Sequence, residues 1–320
     1  MLMSIDETKK MIQSGKWLHI AGNEDLLKAL PQGNWFGGST EYFMDKSGGI
    51  VSGEKLFVTE IPYTDVKVSV FDENNISDIT SDAYQNGFSI IILPFDSEVH
   101  KFYAKNAADF KDIFLKNIIG WVSGTNLSVE GQTPIVVNGQ TGEVSEDKAV
   151  VLHVALPNDK IASIGIINIF SQDKESPVIE FNEDSFTVKK CLVDGKETVF
   201  ADYIAKNNID TKLPLVGDYS GSGINISIKQ IEGDTINLYA PVFKGIQYRF
   251  ANPVEDYTGE FNKQLDALAK VDPVFSCNCI LNFLYGEFEG KPVQAFFGPI
   301  TFGEVAYQLV NQTLVYLIVL

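Results

Sequence analysis

Apolar residues along this chain recur mostly at alternate positions, in short runs, and only locally at helical spacing. Residues 55–61 and 66–71 alternate apolar and polar side chains, as half-buried strands do. Residues 89–95 form a solid apolar run, which predicts a strand buried on both faces. Further strands are expected at 133–137, 149–156, 160–170, 186–193, 224–231, 235–238, 246–250 and 273–283. Asn138-Gly139 predicts a hairpin joining 133–137 to 149–156, and Asp194-Gly195-Lys196 a tight turn. Helices are predicted at 4–15, with Ser4 and Glu7 as a capping box, and at 23–30, capped by Asn23 and stopped by Pro31. Three more are expected at 106–118, where Ala107, Phe110, Phe114 and Ile118 share a face, at 198–207 and at 260–271. Helices and strands mix without a strict βαβ rhythm. The predicted class is α+β, with mixed and mostly antiparallel sheets flanked by helices.

One echo reaches across the chain. Pro134-Ile-Val-Val, Gly142-Glu143 and the strand ending at Leu156 parallel Pro292-Val-Gln-Ala, Gly303-Glu304 and the strand ending at Leu320. The two Gly-Glu pairs are 303 − 142 = 161 positions apart. This predicts two pseudo-repeated halves whose closing modules are structurally equivalent.

The 320 residues suffice for one large domain or two ordinary ones. A formal net charge of −17 repels nucleic acid and an anionic membrane surface, so neither is an expected partner. The three cysteines are too few for a disulfide framework, and Cys277 and Cys279 would point to opposite faces of a strand. Residues 1–10 are charged from Asp6 onward and have no signal-peptide core, and the apolar runs are only strand-length. A reduced, cytoplasmic chain is expected. His19, His100 and His153 are isolated from other ligating residues, so no metal and no cofactor are expected.

Catalytic patterns are incomplete. Gly37-Gly38-Ser39-Thr40-Glu41 lacks the second glycine of a nucleophile elbow, but its backbone can approach a ligand closely. The glycine-rich run from Gly217 to Gly223 lacks the lysine and helix of a phosphate loop. Cys277 has no base nearby in sequence. Arg249 is the only arginine, hence the only guanidinium that could clamp an anionic ligand.

Several stretches resemble the FIST family of sensory domains. Phe36-Gly-Gly-Ser39-Thr40 is similar to the family's Gly-Cys-Ser/Thr-Thr segment, with Gly38 in place of cysteine. The run from Phe186 through Asp194-Gly195-Lys196 to Ala201-Asp-Tyr203 looks like its strand, turn and helix. Phe275-Ser-Cys277-Asn-Cys279 resembles its Ser-Cys strand without the following arginine, while Gly303-Glu304 and Asn311-Gln312-Thr313 match its C-terminal signature. The resemblance implies an N-terminal portion at 1–185 and a C-terminal portion at 186–320. It implies sensing of a small metabolite such as an amino acid, relayed through a partner protein, rather than catalysis. The ligand-binding residues so expected are Gly37, Gly38, Ser39, Thr40, Arg249, Cys277, Gly303, Glu304 and Asn311. In this reading Glu304 meets a ligand amine, and Ser39 and Thr40 donate to a carboxylate. Alternatives are a Cys277- or Ser39-dependent enzyme and a non-catalytic interaction subunit.

Overall fold

The computed structural model describes residues 1–219, 222–268, 271–291 and 296–320. Ser220 and Gly221 of the glycine-rich run, residues 269–270 of the helix expected at 260–271, and the 292–295 start of the C-terminal echo lie outside the described residues. The chain divides into two units: Met1–Ile167 with Asn262–Leu309 and Thr313–Leu320, and Asn168–Phe261 with Val310–Gln312. The boundary expected at 185/186 falls within a strand of the second unit.

The first unit repeats one plan three times. The first copy runs β1 (Leu2–Met3), α1 (Ile5–Gln13), β2 (Trp17–Gly22), α2 (Glu24–Lys28), β3 (Trp35–Ser39), β4 (Tyr42–Asp45), β5 (Gly48–Val51) and β6 (Leu56–Ile61). The second runs β7 (Val66–Phe71), α3 (Ile79–Asp82), β8 (Gly87–Pro94), α4 (Glu98–Asn106), β9 (Asn117–Ser123), β10 (Val136–Asn138), β11 (Glu143–Ser145) and β12 (Ala149–Ala155). The third opens with β13 (Ala162–Ile167), after which the second unit is inserted. That unit carries β14 (Ile179–Glu180), β15 (Ser185–Val188), β16 (Lys190–Val193), β17 (Lys196–Val199), α5 (Phe200–Lys206), β18 (Leu215–Tyr219), β19 (Ser222–Ile226), β20 (Ile228–Glu232), β21 (Thr235–Val242) and β22 (Tyr248–Phe250). The third copy resumes through α6 (Tyr257–Asp266) into β23 (Phe275–Cys279), α7 (Ile280–Tyr285), β24 (Gly298–Thr301), β25 (Glu304–Ala306), β26 (Gln308–Val310) and β27 (Leu314–Val319).

In each copy one parallel pair forms the centre: β2 with β3, β8 with β9, β23 with β24. The closing strand of each copy pairs antiparallel with its first two strands. The next pairing crosses between copies, because β10 adds to β3, β25 to β9 and β4 to β24. Three six-stranded sheets of identical order result: β1-β6-β2-β3-β10-β11, β7-β12-β8-β9-β25-β26 and β13-β27-β23-β24-β4-β5. A glycine marks the same place in each parallel pair. A Cβ at Gly37, Gly120 or Gly298 would lie 2.1, 1.9 or 2.1 Å from the carbonyl oxygen of Ile20, Ile91 or Ser276. Only glycine permits that approach.

The α+β class with mixed and antiparallel sheets is present as expected. Three copies replace the two expected halves. The strands ending near Leu156 and Leu320 are equivalent, as β12 and β27, but the Gly-Glu pairs are not: Gly142-Glu143 leads into β11 and Gly303-Glu304 into β25. Asn138-Gly139 does not join β10 to β12; β10 turns onto β11, and β12 lies between β7 and β8. The helix expected at 106–118 is replaced by α4, which starts earlier on the Ser97 cap. Asp112 breaks the spacing with φ 60°, and Phe114 is 58% exposed. The strand expected at 273–283 ends at Cys279, where α7 begins. The capping box of Ser4 and Glu7 and the Asn23 cap form as expected.

In the second unit, β17-β16-β14-β22-β18-β19 form one sheet and β15-β21-β20 another. Asp194 (φ 47°) and Gly195 (φ 78°) make the tight hairpin turn between β16 and β17.

Candidate functional site

Counting from the three marker glycines, Thr40, Ser123 and Thr301 occupy equivalent, buried positions at the C-terminal ends of the parallel strands. The Thr40 hydroxyl donates to the Ile300 carbonyl at 2.8 Å and accepts the Tyr42 N–H. Ser39 Oγ donates to the Gly124 carbonyl at 2.8 Å and accepts the Ile135 N–H at 2.9 Å. Both hydroxyl protons expected to serve a ligand are thus spent on backbone. Ser123 Oγ is buried and has no partner among the described residues. Gly38 makes room for side chains of β8 and β9, since a Cβ there would meet Ile92 at 2.7 Å and Trp121 at 3.1 Å.

Ser39 and Thr40 do border a small cavity of about 10 Å³, room for roughly one water-sized group, shared with Asn23, Glu41, Gly124 and Thr125. It lies where the first and second copies meet. The carboxylate of Glu41, 7% exposed, accepts from Asn23 Nδ2 at 2.6 Å and from Asn126 Nδ2 at 2.7 Å. It forms no salt bridge among the described residues. Glu24, at the rim, pairs with Lys28.

Glu304 lies elsewhere in the first unit. It pairs across the ladder with Trp121, just as Phe43 pairs with Pro299 and Val136 with Gly38. The other two copies therefore bury an apolar side chain where this one buries a carboxyl at 0% exposure. Thr313 donates to Oε2 through its hydroxyl at 2.7 Å and its N–H at 3.3 Å. The Thr301 hydroxyl lies 3.0 Å from Oε1 and 3.2 Å from the Asn278 carbonyl. A hydroxyl has one hydrogen and a carbonyl can only accept, so both contacts are satisfied together when Oε1 carries a proton. Burial likewise pushes the Glu304 carboxyl up to about 8, against the lowering effect of hydrogen bonds from Thr313, Thr301 and Cys279. Cys277 donates to the Gly120 carbonyl at 3.5 Å. Burial first, and then Glu304, raise its thiol well above the ordinary range, the opposite of an activated nucleophile.

The remaining expected residues are apart from the cavity. The Gly303 carbonyl (φ 151°) accepts the Val122 N–H at 2.8 Å. Asn311 belongs to the second unit, where its Oδ1 accepts from Ser227 N–H and Oγ and its Nδ2 donates to the Asn225 carbonyl. Arg249 is half-buried on β22 opposite Val216 of β18. His19 accepts from Trp121 Nε1 at 3.0 Å and packs edge-on to Phe275. Burial lowers it to about 3. His153 Nδ1 meets Ser89 Oγ at 2.8 Å, with both side chains buried, and burial lowers this histidine to about 4. The second unit has an open cavity of about 610 Å³ floored by Phe170 and Val216 and edged by Asp173, Lys174 and Asp218.

Sequence reasoning missed Glu41, Asn126 and the threefold plan. A signal for the repeat was present: Gly37-Gly-Ser-Thr40, Gly120-Trp-Val-Ser123 and Gly298-Pro-Ile-Thr301 share the pattern glycine, two residues, hydroxyl. No curated protein and no solved structure matches the chain. The sequence model of one family, described as a family of unknown function (DUF6976), matches residues 3–320. With its three-copy unit and inserted second unit falling within that match, the chain belongs to the DUF6976 family of unknown function.

Proposed function

We propose that this protein binds a small molecule in a sensory role, as its resemblance to FIST domains implies, and that it passes the signal to a partner protein in the cytoplasm. The observation that carries the reading is the cavity at the junction of the first and second copies. It lies at the C-terminal ends of parallel strands, where α/β sheets commonly hold ligands, and it is bordered by Ser39 and Thr40 of the FIST-like segment. Binding is favoured over the thiol or serine enzyme because the Cys277 thiol is raised rather than lowered and the Ser39 hydroxyl is committed to backbone. Among the described residues no helix is long and apolar enough to cross a membrane. A thermal-shift screen against amino acids, amines and small acids tests the proposal. A ligand at 100 times its Kd stabilises by about 2.7 kcal/mol, and no shift from any class would refute it.

A further inference from the structure

The threefold plan gives the cavity a sister site for comparison. Counting from Gly37, Gly120 and Gly298, the positions of Glu41, Gly124 and Phe302 are equivalent. Counting from Ile20 and Ile91, which face the first two of those glycines, Glu24 corresponds to Phe95. Where the second and third copies meet, the Phe302 ring fills the space. It packs on Phe95 with centroids 5.8 Å apart, and it rests on Gly124, where a Cβ would come within 1.9 Å of the ring. Where the first and second copies meet, the side chain that would fill the space is missing, because the residue is Gly124 itself. The surfaces it would have packed on are Glu24 and Glu41 in place of Phe95 and Gly124. One junction is closed by an aromatic plug; its counterpart keeps a water-sized space bordered by Glu41 and, at the rim, by Glu24 with its partner Lys28.

The chemistry of that wall selects the occupant. Carboxylates are almost never buried to this degree unless paired. Among the described residues Glu41 has only the neutral amides of Asn23 and Asn126 as donors, and these use two of the four or so lone-pair positions of a carboxylate. Hydroxyl and amide groups of Thr125 and Gln132 also line the space. We propose that this cavity binds the ammonium head of a compact organic amine, with Glu41 as its counter-charge and the rest of the ligand directed to solvent. The inference rests on the ligand-binding reading above and names the ligand class for that site.

The test is calorimetry and thermal shift on the full chain with ethylammonium chloride, beside potassium chloride at equal ionic strength and ethanol as the neutral counterpart. The expected result is a response to ethylammonium alone. Glu41→Gln keeps the shape and removes the charge; it should lower the affinity about 10–100-fold, the worth of a hydrogen bond to a charged group, and it should melt somewhat below wild type without ligand, because its Nε2 must face the amide donor of Asn23 or Asn126. Should Glu41→Gln fold poorly, Thr125→Phe offers a second route, placing a ring in the space without touching Glu41; it should abolish the response. An equal response to potassium would overturn the organic-amine assignment, and so would unchanged affinity in Glu41→Gln. A response confined to neutral or anionic compounds would overturn this inference and leave the ligand-binding proposal standing. No response to any compound would sink both.

Discussion

The Glu304→Gln variant should become more stable relative to wild type as pH rises. In the native chain the carboxyl holds its proton up to about pH 8, whereas in the unfolded chain it loses it near 4.5. Between those values the native Glu304 binds one more proton than the unfolded one, so its contribution to wild-type stability falls as pH rises. The slope is about 1.36 kcal/mol per pH unit, on the order of 5 kcal/mol across the whole window. The substituted glutamine does not titrate, and its amide can face Thr301 while its oxygen accepts from Thr313, the partners Glu304 already has. From pH 5.5 to 7.5 the stability difference, variant minus wild type, should therefore grow by roughly 2.7 kcal/mol. All other titrating groups cancel in that difference. The assay is urea unfolding followed by tryptophan fluorescence, which reports the first unit because Trp17, Trp35 and Trp121 all lie there. A difference that stays flat with pH would refute the reasoning, since Glu304 would then be ionised in the native state at every pH tested.

His19 and His153 should act in the opposite sense. Both are lowered from 6.5, to about 3 and about 4, so their stability is complete above pH 6.5 and is lost as pH falls through those values. Two such groups outweigh Glu304 below pH 6.5, so wild-type stability should rise by about 2 kcal/mol from pH 5 to 6.5, and denaturant titration of His153→Gln should show a shallower rise. Gly120→Ala should cost more than about 3 kcal/mol or prevent folding, because its Cβ would lie 1.9 Å from the Ile91 carbonyl oxygen; a near-native melting temperature would contradict the close strand approach. Cys191, Cys277 and Cys279 are buried free thiols, with Cys191 pushed up to about 12 by burial. Intact-mass analysis after a thiol alkylating agent should find the native chain unlabelled and the urea-unfolded chain labelled three times. Chelator and reductant should leave the melting temperature unchanged.

The pairing between copies has a consequence for assembly. Strands β4, β10 and β25 each leave their own copy to complete another's sheet. No single copy can satisfy its sheet edge alone, so the first unit must assemble as a whole. Long-range pairings of this kind carry a loop-closure cost before they return hydrogen bonds, which slows folding.

What the sequence determined by itself was local. The capping box at Ser4 and Glu7, the Asn23 cap, the buried run of β8 and the turn at Asp194-Gly195 form as read, because caps, apolar runs and left-handed turns are set by a few neighbouring residues. The α+β class follows from the same local patterns. Ser39 and Thr40 border a cavity, but their hydroxyls are held by carbonyls of Gly124 and Ile300, 85 and 260 residues away, which no local pattern announces. Tertiary structure alone decided which strands pair. Ladder hydrogen bonds are made by backbone common to every residue, so an alternating run announces a strand without announcing its partner. For the same reason Glu41 and Glu304 look alike in the chain. Only the fold places Glu304 where two sister copies bury Phe43 and Val136, and sets Glu41 against the space that Gly124 leaves open.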